Sequence, residues 1–237
     1  MASLVEHNAA SDFIPANSRP FGLQELLKTA SAVRHNHDVE LISRAYEFAE
    51  CVHENQFRKS GQPYIHHVTQ VANIIAEFNL DSSTVAAGLL HDVVENTDVP
   101  LGDIETEFGE EIATLVDGVT RIKDLTFQSP EAEQAENFRK MLLSTVKDIR
   151  VVLIKFADRL HNLHTLQFLE PEIQQRMALE SRDIYAPLAH RLGMARIRAE
   201  MEDLSLKWLE SETYQTIEER INLTKEEREA YIEEARL

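Results

Sequence analysis

Residues 151–169 read VVLIKFADRLHNLHTLQFL, and this stretch decides the fold. Its apolar side chains recur at three- and four-residue spacing and cover most of the circumference of a helix, which predicts a helix buried on nearly every side. The apolar positions are Val152, Ile154, Phe156, Leu160, Leu163 and Leu166. Such a helix belongs in the core of the protein.

A line of polar side chains interrupts this apolar helix. Asp158, Asn162 and Thr165 follow one another at i, i+4 and i+7, so they share one face. A polar line inside a core favours a functional role. The alternative is that the line is the solvated side of the helix. That solvated face would also carry Lys155, Arg159 and His161.

The rest of the chain has the same helical spacing. Seven Gly and seven Pro among 237 residues are few, and we find no convincing strand, so the sequence predicts an all-α fold. Asp38 and Asp81 are predicted N-caps, the second of a helix that runs through Val94. Residues 1–20 predict a loose leader, with the first helix beginning near Phe21. Thr224 and Glu227 have the spacing of a capping box.

Charge and cysteine content exclude several classes of protein. The 24 Lys and Arg against 41 Asp and Glu give a net charge of −17, which disfavours DNA and long RNA as partners. The single cysteine, Cys51, cannot form an intrachain disulfide. No stretch is apolar enough to span a membrane and no signal peptide opens the chain, so we expect a cytoplasmic protein.

A second region combines burial with metal-ligand chemistry. His91 and Asp92 follow an apolar run, and Asp92 is aligned with Glu95 and Asn96 on a helix. A buried carboxylate beside a histidine suggests a divalent metal, although a core histidine bonded to a backbone carbonyl is the usual explanation of such a doublet.

The order of the polar residues along the chain favours the metal. An upstream histidine (His66 or His67), the His91–Asp92 doublet and the distant Asp158 form the HD-domain arrangement. Two imidazoles and two carboxylates suit a first-row divalent ion. A basic loop that contains Arg58, Lys59 and Ser60 precedes them. It could meet an anionic ligand, or it could be a solvated turn.

Longer segments resemble a known family, the N-terminal hydrolase region of the long RelA/SpoT-homologue proteins, which make and degrade the alarmone (p)ppGpp. The matching segments are RKSGQPYIHH (58–67), HDVVENTD (91–98), EFGEEIATLVDGVTRI (107–122), FRKMLLSTVKDIRVVLIKFADRLHNLHTL (138–166) and IYAPLAHRLGM (184–194). The resemblance implies an HD-type helical bundle over residues 21–193. It also implies that residues 194–237 are connecting helices toward a synthetase domain absent from this chain.

The resemblance also implies a function and a site. The function is metal-dependent hydrolysis of the 3′-diphosphate of guanosine tetra- or pentaphosphate to pyrophosphate and GDP or GTP. The implied metal ligands, with Mn²⁺ as the ion, are His67, His91, Asp92 and Asp158. The implied nucleotide-binding residues are Arg58, Lys59, Ser60, Asn162 and Thr165. His67 is preferred to His66 because the family's ligand is the third residue after the tyrosine, here Tyr64.

The chain departs from the family at one position. Hydrolase-competent relatives carry HDxxED, whereas here Glu95 is followed by Asn96. Glu95 is the candidate catalytic base and Asn96 its partner in holding water, but an amide cannot exchange a proton as a carboxylate does. The alternative function is therefore a nucleotide-binding regulatory module with weak or no turnover. A hydrolase of a different nucleotide is a third hypothesis, which the family-specific segments disfavour.

Overall fold

The computed structural model describes residues 22–33, 37–122 and 129–236. Within these ranges the regular structure is helical, and the only extended pairing is an isolated bridge between Phe57 and Pro63. The α-helices are α1 (Leu23–Val33), α2 (Val39–Val52), α3 (Tyr64–Glu77), α4 (Ser82–Leu90), α5 (Val93–Asn96), α6 (Leu101–Phe108), α7 (Glu110–Val119), α8 (Pro130–Lys147), α9 (Arg150–His164), α10 (Pro171–Glu180), α11 (Ala186–Arg191), α12 (Ala195–Leu209) and α13 (Ser211–Arg236). The predicted all-α fold is confirmed.

Helix α9 contains most of the apolar stretch 151–169 and lies in the middle of the bundle. It packs against α3, α4, α7, α8 and α12, and the predicted core positions Ile154 and Phe156 have no exposed surface. The helix ends at His164, earlier than the sequence predicts. A short 3₁₀ turn over Leu166–Phe168 follows, and it keeps Leu166 buried.

The solvated face considered for α9 does not form, and that alternative is wrong. The side chains of Lys155 and Arg159 are only 14% and 11% exposed, and His161 is buried. Arg159 is covered because its guanidinium lies over the ring of Tyr185 and pairs with Glu180 at 3.1 Å. Neighbouring helices therefore cover these three side chains of α9.

The helix predicted from Asp81 through Val94 is interrupted, so that prediction is wrong in its second half. Helix α4 ends at Leu90 and α5 begins at Val93. Between them His91 and Asp92 form a turn, in which the backbone of Asp92 has φ −100° and ψ −5°, well away from the ideal helical values. The break places two polar side chains, His91 and Asp92, at the junction of two helices instead of along one helix face.

Two of the predicted helix caps are confirmed and one is wrong. The side chains of Asp38 and Asp81 accept hydrogen bonds from the backbone N–H groups of Leu41 and Thr84, each at 2.9 Å. At Thr224, in contrast, α13 continues without a break, and the hydroxyl donates to the carbonyl of Arg220 one turn earlier. The mostly polar pattern of this segment supports one long helix, so the threonine is interior and caps nothing.

The C-terminal helices are joined to the bundle through α12. This helix packs on α9, α10 and α11 and contributes Ile197 and Met201 to the main core, whereas α13 packs along α12. The predicted boundary between residues 193 and 194 falls between α11 and α12 and stays a prediction. The predicted leader lies outside the described residues. None of the described helices is long and apolar enough to cross a bilayer.

Candidate active site

Four polar side chains from three parts of the chain meet in the core. His67 comes from α3, His91 and Asp92 from the break between α4 and α5, and Asp158 from α9. The Nε2 atom of His67 lies 3.4 Å from Asp92 Oδ2 and 3.5 Å from Asp158 Oδ1. His91 Nε2 lies 3.4 Å and 3.8 Å from the same two oxygens. We call these four residues the inner cluster.

Each histidine of the inner cluster is oriented by a hydrogen bond from its other ring nitrogen. His91 Nδ1 is 2.8 Å from the carbonyl oxygen of Gly88, and because a carbonyl only accepts, Nδ1 carries a proton. In the neutral ring Nε2 then presents a lone pair. That atom is buried and has no hydrogen-bond partner among the described residues. His67 Nδ1 is 2.9 Å from Nδ1 of the buried His161.

The inner cluster has the donor set of a divalent cation site. One ligand atom each from His67, His91 and Asp158 lies within 4.8 Å of the others, and Asp92 Oδ2 faces both imidazoles. When both rings are neutral and His67 carries its proton on Nδ1, as His91 does, every converging atom presents a lone pair, and these repel one another unless a cation lies between them. The unpartnered Nε2 of His91 fits a metal ion for the same reason.

Burial and the neighbouring charged groups together set the pKa values of the inner cluster. Burial lowers the pKa of His67 to about 4, although the nearby Asp92 carboxylate acts against this shift, so the ring is neutral at pH 7. Burial opposes ionisation of Asp92, but the neighbouring imidazoles of His91 and His67 hold its pKa well below the usual range. Burial also opposes a charge on His91, yet Asp92 and Asp158 raise its pKa. The two carboxylates therefore attract positive charge into the cluster.

Tyr64, at the start of α3, links Asp92 to Asn96. The phenol donates to Asp92 Oδ2 at 2.6 Å, and Nδ2 of Asn96 donates to the phenolic oxygen at 2.9 Å. Its ring stacks on His53 with 4.8 Å between centroids. Asn96 is thus connected to the inner cluster through one side chain.

The polar line of α9 continues from the inner cluster toward solvent. Asn162 Nδ2 donates to Asp158 Oδ1 at 2.6 Å, and Asn162 Oδ1 accepts from Arg58 Nη2 at 2.6 Å. The hydroxyl of Thr165 donates to the backbone carbonyls of His161 and Asn162. Arg58 is therefore oriented toward α9 and the inner cluster.

Arg58, Lys59 and Ser60 lie in a tight loop over residues 57–63. The backbone N–H of Arg58 donates to the carbonyl of Gln62, and the N–H of Gly61 donates to the carbonyl of Arg58, each at 2.9 Å. Gly61 has φ +80°, a conformation that favours glycine. We call this segment the basic loop.

A cavity of about 390 Å³ lies between the basic loop, α9 and the residues that follow α9. The predicted site residues that line it are Arg58, Lys59, Ser60, His67, Asp92, Glu95, Asn96, Asp158, Asn162 and Thr165. Of the predicted residues, only His91 does not line the cavity, because it lies fully buried behind Asp92. Phe57, Phe168, Leu169 and Met177 add an apolar wall. The structure therefore brings the whole predicted set together.

Glu95 is held at one wall of the cavity by Arg121. Its Oε2 accepts from the backbone N–H of Arg121 at 3.3 Å, and its Oε1 lies 3.5 Å from the Arg121 guanidinium. The carboxylate is 20% exposed, so solvent can reach it. It can accept a proton from a water in the cavity.

Sequence reasoning missed four residues at this site: Tyr64, Arg121, Lys155 and His161. A signal existed for two of them, since Lys155 and His161 lie three residues before and after Asp158, on neighbouring positions of one helix face. The Lys155 ammonium is 3.8 Å from Asp158 Oδ2 and lines the cavity. Nothing in the sequence spacing relates Arg121 to Glu95.

The chain is similar to known proteins in sequence. The family model described as HD domain matches residues 45–195. A Synechocystis protein named probable guanosine-3′,5′-bis(diphosphate) 3′-pyrophosphohydrolase is 50% identical over 193 residues, which cover 81% of this chain and 25% of the relative. The Escherichia coli bifunctional (p)ppGpp synthase/hydrolase SpoT is 45% identical, over 82% of this chain and 28% of the relative. The chain thus spans about a quarter of the length of these relatives.

A solved structure is also similar. It is described as a metazoan ortholog of SpoT that hydrolyzes ppGpp and plays a role in starvation responses. The match has a TM-score of 0.52 and 30% identity, and covers 69% of this chain and 93% of that one. The matched region is therefore nearly the whole of that solved chain.

Proposed function

This chain belongs to the HD-domain family, among relatives of the SpoT/RelA type, and from that premise we propose that it hydrolyses the 3′-diphosphate of guanosine tetra- or pentaphosphate. Water attacks the phosphorus next to the ribose, the bond from that phosphorus to the 3′ oxygen breaks, and the 3′ oxygen gains a proton. The products are pyrophosphate and GDP or GTP.

The observation that carries this proposal is the convergence of the inner cluster at the floor of a cavity whose rim is basic. Each of the two imidazole Nε2 atoms lies within 3.8 Å of an oxygen of both carboxylates, and Arg58, Lys59 and Lys155 line the space above them. Cations at the rim suit a substrate that carries two diphosphates. They also offset locally the negative charge of the chain as a whole.

We assign His67, His91, Asp92 and Asp158 as the ligands of a divalent ion, with Mn²⁺ as the proposed metal. When bound, such an ion lowers the pKa of a water molecule and neutralises charge on phosphate oxygens. His67 is preferred to His66 because its ring is buried in the inner cluster, whereas His66 is only half-buried.

The other cavity residues bind the substrate and orient the attacking water. Glu95 accepts the proton of the attacking water, and Asn96 supports the water site. Arg58 and Lys59 bind the substrate phosphates, with Arg58 oriented by Asn162. Asn162 and Thr165 form the polar wall along α9, and Ser60 completes the basic loop.

The second candidate function is a nucleotide-binding regulatory module with little turnover. Two contacts favour it: the amide of Asn96 already donates to Tyr64, and Glu95 is held by Arg121. These contacts hold both side chains, so that neither is free to take part in proton transfer. Under either function we propose that the chain acts in the cytoplasm as the N-terminal part of a longer protein with a synthetase domain, whose connection is made by residues 194–237.

A turnover assay separates the two functions. Purified protein with Mn²⁺ and ppGpp labelled in the 3′-diphosphate should release labelled pyrophosphate, and an excess of chelator should abolish the release until Mn²⁺ is restored. Full activity in chelator would refute the metal mechanism. Binding of ppGpp without release would support the regulatory module. His91→Ala should bind Mn²⁺ far more weakly than the parent, and unchanged tight binding would refute the ligand assignment.

A further inference from the structure

We propose that Tyr64 is a positioning residue for Asp92, and that Asn96 acts on the metal site through Tyr64. This inference rests on the proposed function, because it takes Asp92 to be a metal ligand. The contacts of Tyr64 and Asn96 are defined by hydrogen-bond geometry. Neither residue is a metal ligand itself.

The chemistry of the three groups fixes the direction of the hydrogen bonds. An ionised carboxylate only accepts, so the 2.6 Å contact between Tyr64 and Asp92 Oδ2 is a donation from the phenol. The amide nitrogen of Asn96 only donates, so the 2.9 Å contact with the same phenol is a donation to its oxygen. The proton of Tyr64 is therefore committed to Asp92.

The position of the Tyr64 ring is fixed from several sides. His53 stacks on it at 4.8 Å, His67 meets its edge region at 5.6 Å, and the Arg58 guanidinium lies 5.8 Å from its centroid. A rigid donor of this kind can hold Asp92 in a single orientation.

The oxygen that Tyr64 contacts is the one that faces both histidines. Asp92 Oδ2 lies 3.4 Å from Nε2 of His67 and of His91. Fixing this oxygen fixes the geometry that an ion would meet, and partners that orient ligand groups typically contribute roughly 10–100-fold to metal affinity. The contribution of Asn96 is smaller, because it only directs the phenol.

The amide of Asn96 can donate a hydrogen bond to Tyr64, which a carboxylate at this position could not do. An aspartate at position 96 has no proton to donate, so the phenol would face two acceptors with one proton. The Asn96 departure from HDxxED therefore has a consequence beyond the loss of a candidate base: it strengthens the orientation of Asp92. Asn96 is itself exposed, and its replacement leaves the buried part of the bundle intact.

The test is a double-mutant cycle on Tyr64 and Asn96. In each protein the affinity for Mn²⁺ is measured by calorimetry in the absence of nucleotide. Tyr64→Phe should weaken binding by roughly 10–100-fold, and Asn96→Ala by about fivefold, the usual effect of one hydrogen bond. In the Tyr64→Phe background, Asn96→Ala should have no further effect. Tyr46→Phe is the matched control, since its phenol also contacts a carboxylate, Glu50, but within α2 and away from the cavity. It should leave affinity unchanged.

Additive effects in the double variant, or unchanged affinity in Tyr64→Phe, would overturn the inference. Thermal melting of each protein without metal checks that the fold is retained. If Tyr64→Phe does not fold, Asn96→Ala alone still decides, because equal affinity to the parent contradicts the proposal. In turnover assays the Mn²⁺ concentration for half-maximal rate should rise while the KM for ppGpp stays constant. A protein that follows the binding cycle but never releases pyrophosphate would leave this inference standing and refute hydrolysis.

Discussion

The inner cluster and the basic loop face the same cavity but are constructed in opposite ways. In the cluster, His67 and His91 are buried, and each is oriented by a hydrogen bond from its other ring nitrogen. In the loop, Lys59 is exposed and the backbone is closed by its own hydrogen bonds around Gly61. The cluster depends on three separate helical regions, whereas the loop is a local structure.

This difference predicts a division of labour. A buried, oriented cluster can act on charge that develops during the reaction, and an exposed loop meets charge that the substrate already carries. Changes in the cluster should therefore alter metal binding and kcat, and changes in the loop should alter KM. Two hydrogen bonds, from Arg58 to Asn162 and from Asn162 to Asp158, join the two regions.

The largest expected effect distinguishes two neighbouring histidines of α3. His67→Ala removes a ligand and should lower kcat/KM by roughly 10³-fold or more, since a bound ion supplies several kcal/mol to the transition state. His66→Ala is the control, because this half-buried ring lies outside the inner cluster. Initial rates and Mn²⁺ calorimetry on both variants measure the effects. A larger loss of activity and Mn²⁺ binding in His66→Ala than in His67→Ala would show that His66 is the ligand.

The next effect is an expected gain. If the family's carboxylate orients or deprotonates the attacking water, Asn96→Asp should raise kcat by a factor on the order of 10². Rates are compared at saturating Mn²⁺, so that a change in metal affinity does not enter. Glu95→Ala, added to either protein, should reduce turnover. An Asn96→Asp protein no faster than the parent would mean that Glu95 already suffices.

The sequence predicted the residues of the inner cluster, but few of the residues that orient them. Helical spacing predicted that Asp158, Asn162 and Thr165 lie on one line, and in the structure all three line the cavity. The same spacing extended a helix through His91 and Asp92, where the structure has a break. Periodicity cannot predict such a break, because it depends on where the two side chains meet α3 and α9 in space.

The supporting residues depend on tertiary contacts, and the sequence has no signal for most of them. Tyr64 and Asp92 are 28 positions apart, and His67 and His161 are 94 apart. In the sequence, His161 enters only in the alternative interpretation, as part of a solvated face shared with Lys155 and Arg159. Only the packing of α9 against α3 places it behind His67.

A third prediction removes charge from the basic loop. Arg58→Ala should raise the KM for ppGpp by about 10-fold or more, the usual contribution of a charge-assisted hydrogen bond, and leave kcat nearly unchanged. Arg44→Ala is a control, since this exposed arginine pairs with Glu107 outside the cavity. A fall in kcat equal to the fall in kcat/KM would mean that Arg58 acts through Asn162 on the inner cluster.

The smallest expected effect comes from bending the loop while keeping its charges. Gly61 has φ +80°, which an alanine adopts at a cost of about 1–2 kcal/mol, although no atom lies within 4 Å of the added Cβ. The strain is relieved by a shift of the loop backbone. Arg58 and Lys59 then sit less well over the cavity, and we expect the KM for ppGpp to rise by about threefold to fivefold.

Gly102→Ala is the matched control for this change. Gly102 also has no atom within 4 Å of an added Cβ, but it lies in α6 and is not among the glycines with positive φ. Alanine there should stabilise the protein by up to about 1 kcal/mol and leave KM constant. Melting temperatures, Mn²⁺ affinity and KM are measured for both variants. If Gly61→Ala weakened Mn²⁺ binding as strongly as it raised KM, the loop and the cluster would be one mechanical unit, joined through Arg58 and Asn162, because no ligand or charge has been removed.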